Sequence, residues 1–559
     1  MSKLDVAKLV EGTGVEPKPL ATFLDGTPSL TAEEKTLIID QARTLMEDLY
    51  VHLPLKRAMY ATDPVQRLKL LRHRLPQDRV FHEEMIDIFM SVRDLHTNYV
   101  LPDPYRRATA VLPFQIGEYF DQQKRRYIVF STAGEDADFR PGMPITHWNG
   151  VPIERAVELN ARRQAGGNEA AKHARGLQRM CVRPLMMSLP PDEDWVDVRY
   201  LDQTGTARER RFSWVVLQQP SATGASPEGS AQLASREAMI QFGALGLDFE
   251  NEVANEIIKQ VFQQEQVKIE ADVLAYLQGA ELESIAGADD VDFSKVSKMP
   301  EAFTFETVNT PDGAVGRIAI RTFAVNDPAS FVREFVRIAA LLPQNGLIVD
   351  VRNNGGGNII AGETLLQTLT GRTIEPERLH FINTPLTLAI ARSMPDWFSK
   401  WIPSMTTAVE TGAVFSQGWP LLDVAEYNKI GRRYPGPVVL ITNAFCYSTT
   451  DIFAAGFQDH KIGKIIGTDA NTGAGGANVF DWNLMKTLGA ALPNNPIATP
   501  PRGSSFRVAI RRTTRVGDNS GLALEDAGVV PDVIHRLTLE DLTNKDAALF
   551  ARAAKLLKS

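Results

Sequence analysis

Hydrophobic and polar positions follow three regimes along this chain, and each predicts a different kind of structure. Between residues 31 and 95, Leu37, Ile38, Leu45, Met46 and Leu49 recur near helical spacing, and Thr31 with Glu34 has the form of a capping box. The segment HEEMIDIFMSVRDL predicts a further helix ending at Leu95, followed by His96 and a strand-like NYVLP. Residues 112–217 alternate and turn like a β-rich module. They include YIVFSTAG, RPGMPITHWNG and VRYLDQTGTARERRFSWVVL, the last a hairpin around Gly205. Residues 218–231, QQPSATGASPEGSA, have linker composition, and 232–285 read as helical through AMIQF, VANEIIKQVF and VLAYLQ. From about residue 303 the strands GRIAIRTF, GLIVDV, PVVLIT and KIIG alternate with helical segments 328–342, 359–371 and 449–459. Such continuous apolar strands are those of a buried parallel sheet. No internal repeat occurs. The expected organisation is an N-terminal helical region (1–111), a β-rich module (112–217), a linker with a helical insertion (218–302) and an α/β core (303–559).

Composition narrows the function classes. A chain of 559 residues holds several domains or one large core with insertions. With 44% hydrophobic and 23% charged residues it has ordinary globular composition. The net charge of −8 argues against nucleic acid as the main partner. Two cysteines, Cys181 and Cys446, offer neither a disulfide framework nor zinc-ligand spacing. No run is long enough to span a bilayer, and the start lacks a signal-peptide core. The expectation is a cytoplasmic setting, with export by another route left open. A homo-oligomer is likewise open.

Candidate chemistry concentrates in GPVVLITNAFCYSTTDIFAAGFQDHKIGKIIGTDANTGAGG, residues 436–476. A strand, a short turn and a helix opening at Ser448 can hold a hydroxyl at the tip of a rigid element beside free helix amides. Ser448-Thr449-Thr450-Asp451 also reads as a capping box, in which the hydroxyl would merely cap the helix. Cys446 is a rival nucleophile on the same turn, and equally a small apolar residue. The loop DVRNNGGGN, Asp350 to Asn358, has three successive glycines whose amides could bind an oxyanion or only make a tight turn. It lacks the Lys-Ser/Thr of a phosphate-binding loop. Asp94-Leu95-His96-Thr97 supplies an imidazole at a helix-to-strand junction, the usual general base if Ser448 attacks near neutral pH. Leu524 to Asp532, with Glu525 and Asp526, reads as a turn before a short strand.

Together, DVRNNGGG, ITNAFCYSTTDIFAAGFQD, TGAGG and EDAGVVPDV resemble, in order and character, the C-terminal-processing (tail-specific) serine peptidases and the tricorn core, from about residue 305 to 540. The resemblance implies a Clp-protease/crotonase-like layered α/β core and a nucleophile three residues before Asp451, which is Ser448. Many tail-specific members use a lysine base, but residues 465–485 contain none; the nearest are Lys464 and Lys486. Tricorn and the chlamydial protease-like activity factor use a histidine and a late glutamate instead. His96 and Glu525 are similar to these, although Leu95 stands where the tricorn core has a serine. The resemblance therefore implies a serine endopeptidase with Ser448 as nucleophile, His96 as general base and Glu525 as orienting acid. The amides of Gly356 or Gly357 and of Thr449 would form the oxyanion hole, with no metal or organic cofactor and a polypeptide as substrate.

PGMPITHWNGVPIERAV resembles part of a PDZ domain, which implies a PDZ-like module binding peptide at a sheet edge. The helical insertion reads as an oligomer contact or plain packing, ahead of a lid or a self-inhibitory element. Two other classes remain on the same scaffold: a non-catalytic binding protein and a crotonase-like acyl or thioester hydrolase. The latter needs an adenine-phosphate site, and no clustered basic loop lies near the glycine segment to provide one.

Overall fold

The computed structural model describes residues 6, 15–219, 245–279 and 296–558. Its centre is a six-stranded sheet. The strands Phe303–Thr310 and Gly313–Ile320 form an antiparallel hairpin. Four further strands add in parallel: Leu347–Asp350, Val438–Thr442, Lys464–Gly467 and Val533–Ile534. The middle strands are buried on both faces, which explains the apolar runs Leu347–Val349 and Val438–Ile441 within them. Side chains alternate between the faces. Ile348, Val439, Ile441 and Ile466 pack on the C-terminal helix Ala547–Leu556 through Leu549, Phe550 and Ala553. Val349, Leu440 and Ile465 join the main core with the helices Pro328–Leu341, Ile359–Leu369 and Thr449–Asp459. The layered α/β core expected for residues 303 onward is therefore present.

Antiparallel pairing ties the N-terminal region to this core. The strand Asn98–Val100 pairs with Ser505–Thr514, placing Asn98 opposite Arg507. The Ala509 amide donates to Thr97 Oγ1 at 3.1 Å. His96, two residues before that strand, is thereby carried to the core's edge. The expected capping box is formed: Glu34 N–H donates to Thr31 Oγ1 at 3.2 Å, and Thr31 N–H to Glu34 Oε2 at 2.8 Å. The hairpin around Gly205 is also formed, with Leu201 opposite Ala207.

The β-rich stretch differs from expectation in two ways. It contains the helices Ile153–Ala161 and Glu169–Gln178, the second capped by Asn168, whose side chain accepts the Ala171 amide at 2.9 Å. Its strand Val215–Gln218 pairs with both Ala108–Val111 and Glu16–Pro19, so one sheet runs across the expected boundary at residue 111. In the insertion, the helices Phe249–Phe262 and Gln264–Leu277 are as expected. Most of the linker and AMIQF lie outside the described residues. Among the described residues, no helix is long and apolar enough to cross a membrane.

Glu363, on the helix after the glycine loop, forms a buried acid pair with Glu377 that has a measurable consequence. Glu377 N–H donates to Glu363 Oε1 at 2.7 Å. Burial pushes the Glu363 carboxyl from its ordinary 4.5 up to about 7, and burial with the Glu363 charge pushes Glu377 up as well. Such a group binds its proton more tightly folded than unfolded. Its stabilising contribution is whole below pH 4.5 and is lost as pH rises towards 7, on the order of 3 kcal/mol for Glu363. Glu363→Gln should remove that loss. Calorimetric melting at pH 5 and pH 8 should show a smaller drop for the variant than for the parent chain.

Candidate active site

The strand Val438–Thr442 delivers the chain to a tight turn, and the helix Thr449–Asp459 departs from it. Ser448 stands between them at φ 59°, ψ −121°, a conformation a non-glycine residue adopts only under constraint. The constraint comes from Asp451. Its carboxylate accepts the amides of Ser448 (3.1 Å), Gly475 (2.8 Å) and Ala474 (3.3 Å), binding the elbow to the second glycine loop. Burial holds the Asp451 carboxyl up at about 6 despite these donors. Only half of a capping box is formed, because the Ser448 hydroxyl is buried without a hydrogen-bond partner. A side chain present merely to cap the helix would donate or accept there.

The rival nucleophile is disarmed. Cys446 is fully buried, its thiol donates to the Val351 carbonyl at 3.1 Å, and burial pushes its pKa well up.

The first glycine loop lies beside the elbow. Asn443 Oδ1 accepts the Asn353 amide at 3.0 Å, and Tyr447 N–H donates to the Asn354 carbonyl at 3.2 Å. Gly357, at φ 140°, passes so close to Phe323 that a Cβ would lie 1.9 Å from its carbonyl carbon. Of the two glycines offered as alternative oxyanion donors beside Thr449, Gly356 is engaged elsewhere. The Gly356 amide turns inward to Asn354 Oδ1 at 3.0 Å, so it is already committed. Thr449 Oγ1 donates to the Gly357 carbonyl at 2.7 Å, fixing the helix start to the loop.

His96 reaches the elbow across 352 residues of chain (448 − 96). Its ring packs on Tyr447, with centroids 4.5 Å apart. The neighbouring Leu95 amide donates to the Tyr447 hydroxyl at 3.2 Å. Asp94 Oδ1 accepts the His96 amide at 2.7 Å and lies 4.0 Å from His96 Nδ1. Both ring nitrogens are buried without partners, so the hydrogen bond expected between His96 and Ser448 is not made here. Burial first, then the charges of Arg507, Arg175 and Lys56, push the His96 pKa well down. The imidazole is neutral at neutral pH and free to accept a proton.

Glu525 does not touch His96. Its Oε1 accepts from Lys56 Nζ at 2.7 Å, and its Oε2 lies 3.8 Å from His52 Nε2. Lys56 Nζ also donates to Asp526 Oδ1 at 2.6 Å, and the Tyr60 hydroxyl meets the same oxygen at 2.9 Å. Burial and the Asp94 charge push Glu525 up, while Lys56 pulls it down. Burial pulls Lys56 down, but the carboxylates of Glu525, Asp526 and Asp94 raise it by more. The ligand atoms of His52, Asp94 and Glu525 lie within 4.8 Å of one another, a spacing open to a metal ion. The Lys56 ammonium already supplies a cation to that cluster.

Residues 245–247 cover the elbow. The strand Leu245–Leu247 pairs antiparallel with Gly356–Asn358, with Gly246 opposite Gly357. A Cβ on Gly246 would lie 2.1 Å from Ser448 Oγ. The Asp248 amide continues the pairing to the Gly355 carbonyl at 2.9 Å, and Arg507 Nη2 donates to the Leu247 carbonyl at 2.7 Å. These residues of the insertion pack on the core directly over Ser448. Three residues with no special composition left no signal, and neither did Lys56 in its ordinary amphipathic helix.

Residues 314–534 match the model of peptidase family S41. The match takes in Ser448, Thr449, both glycines and Glu525, and leaves His96 and Lys56 outside. Mature CPAF is similar in fold at a TM-score of 0.63, with 15% identity over 94% of this chain and 98% of that one. CPAF complexed with lactacystin aligns over the same shares at 15% identity and a TM-score of 0.61. The photosystem II D1 C-terminal processing protease aligns over 95% of this chain and 98% of that one at 15% identity, with a TM-score of 0.39. No curated protein sequence matches significantly. Over residues 314–534 the chain is thus similar to serine peptidases of family S41.

Proposed function

We propose that this protein is an endopeptidase that cleaves peptide bonds through Ser448, with His96 as general base. The carrying observation is an unpartnered buried hydroxyl on a strained elbow, beside a neutral imidazole with both nitrogens free. His96 takes the hydroxyl proton as Oγ bonds to the substrate carbonyl carbon. It returns that proton to the leaving amine as the C–N bond breaks, and water then hydrolyses the acyl-enzyme. Since the Gly356 amide is committed, the amides of Gly357 and Thr449 are the oxyanion donors. Glu525 acts as the orienting acid through the buried cluster of Lys56, Asp94 and His52 rather than by direct contact. Residues 245–247 lie where an extended substrate would add to the Gly356–Asn358 edge. The full chain thereby holds its own activity low, and displacing that strand opens the groove.

A fluorophosphonate probe followed by peptide mapping tests this. Ser448 should be labelled slowly in the parent chain and rapidly in a variant with the covering strand displaced. Absence of labelling in both would favour a non-catalytic binding protein on the same scaffold.

A further inference from the structure

We infer that Arg175 is a specificity pocket, selecting peptide substrates with an acidic side chain two residues beyond the position facing Ser448. The inference rests on the peptidase reading and names its substrate class. The covering strand serves as the template. It is extended, edge-paired and in contact with the nucleophile at Gly246. Two residues on, a side chain projects from the same face of a strand. That residue is Asp248, just past the strand: its amide still pairs with the Gly355 carbonyl, one carboxylate oxygen caps the helix Phe249–Phe262 by accepting the Asn251 amide at 3.2 Å, and the other forms an ion pair with Arg175, each side chain only 1% exposed.

Arg175 does not belong to the covering segment. It sits on the helix Glu169–Gln178, with its guanidinium 5.5 Å from the Phe445 ring centre and 5.6 Å from that of Tyr447. Both rings belong to the elbow, so the guanidinium stays in the groove when the strand leaves. Its Nε and Nη1 are buried without hydrogen-bond partners. Removing Asp248 strips a desolvated cation of its counter-charge, and only an incoming carboxylate restores it. Arg507 grips the Leu247 carbonyl, a main-chain atom that every substrate carries. It adds affinity without selecting a side chain, so selectivity falls to Arg175.

The test uses the full chain carrying Gly246→Val, to displace the strand, with His96→Ala to prevent turnover. Fluorescein-labelled octapeptides with the sequence of residues 243–250 carry either Asp or Asn at the position of Asp248. Fluorescence anisotropy should show the Asp peptide binding at least about tenfold more tightly, since a site built for a polar group rejects the analogue lacking it. Adding Arg175→Gln should bring the ratio below about twofold, and Arg175→Lys should retain a preference for Asp. Equal binding of the two peptides by the parent double variant, or binding of neither, overturns the inference without any use of an Arg175 variant. A ratio that survives Arg175→Gln also overturns it. Catalysis is read separately, in Gly246→Val with His96 intact. Acid-selective binding with no cleavage there would defeat the peptidase reading and leave the pocket standing.

Discussion

Ser448→Ala removes proteolysis, lowering kcat/KM by about 10⁴–10⁶-fold, while the chain melts within a few degrees of the parent. The size follows from losing the atom that forms the acyl bond, which leaves only binding and oxyanion stabilisation. Retention of the fold follows because the hydroxyl makes no hydrogen bond to be lost. A buried hydroxyl without a partner carries a desolvation cost, so its removal is neutral or slightly favourable. Elbow geometry is held by the Asp451 carboxylate and the Ser448 amide, and alanine keeps both. Cys446 does not substitute, since its thiol is buried and bonded to Val351. Chromatography of an unstructured protein substrate and calorimetric melting measure the two halves, both in the Gly246→Val background. Activity within tenfold of that background would dismiss Ser448 as the nucleophile.

Gly246→Val raises peptide hydrolysis by the full chain about 5–150-fold. The mechanism is steric. A Cβ at residue 246 would lie 2.1 Å from Ser448 Oγ and 3.0 Å from the Ala477 carbonyl, so the hydroxyl must rotate away while the carbonyl, and the valine methyls beyond that Cβ, leave the strand overpacked. The Ser448 backbone is pinned by the elbow, and Ala477 lies in a strand paired to Ser505–Thr514. Overpacking of this kind costs about 1–3 kcal/mol, which converts to the stated rise in the open population. The gain saturates once the open form dominates. The main-chain pairing, the Arg507 contact and the Asp248–Arg175 ion pair oppose opening, so the parent rate is low. Initial rates on a quenched fluorescent peptide decide the matter. An unchanged or lower rate, with Ser448 still competent towards a fluorophosphonate, would mean that residues 245–247 do not gate the site.

Much of the core was legible because its signals are local. Runs such as Leu347–Val349 in GLIVDV and Val438–Ile441 in PVVLIT are apolar since both faces of those strands are covered, and burial on two sides marks successive residues rather than alternate ones. The Thr31–Glu34 capping box and the hairpin around Gly205 depend on residues within a few positions of one another. The strand-turn-helix elbow at Ser448 is of the same kind. The helices Ile153–Ala161 and Glu169–Gln178 escaped because strands and turns surround them on both sides.

By itself, then, the chain determined the layered α/β core, the elbow with its serine and the two glycine loops, because periodicity, capping and turn chemistry act between near neighbours. Folding alone decided what stands around that serine. It set His96 on Tyr447, gave Glu525 to Lys56, turned the Gly356 amide to Asn354 and laid Gly246 on the hydroxyl. The physical reason is that a buried ion pair or an occupied groove depends on which distant surfaces exclude water from each other. No stretch of neighbouring residues contains that information.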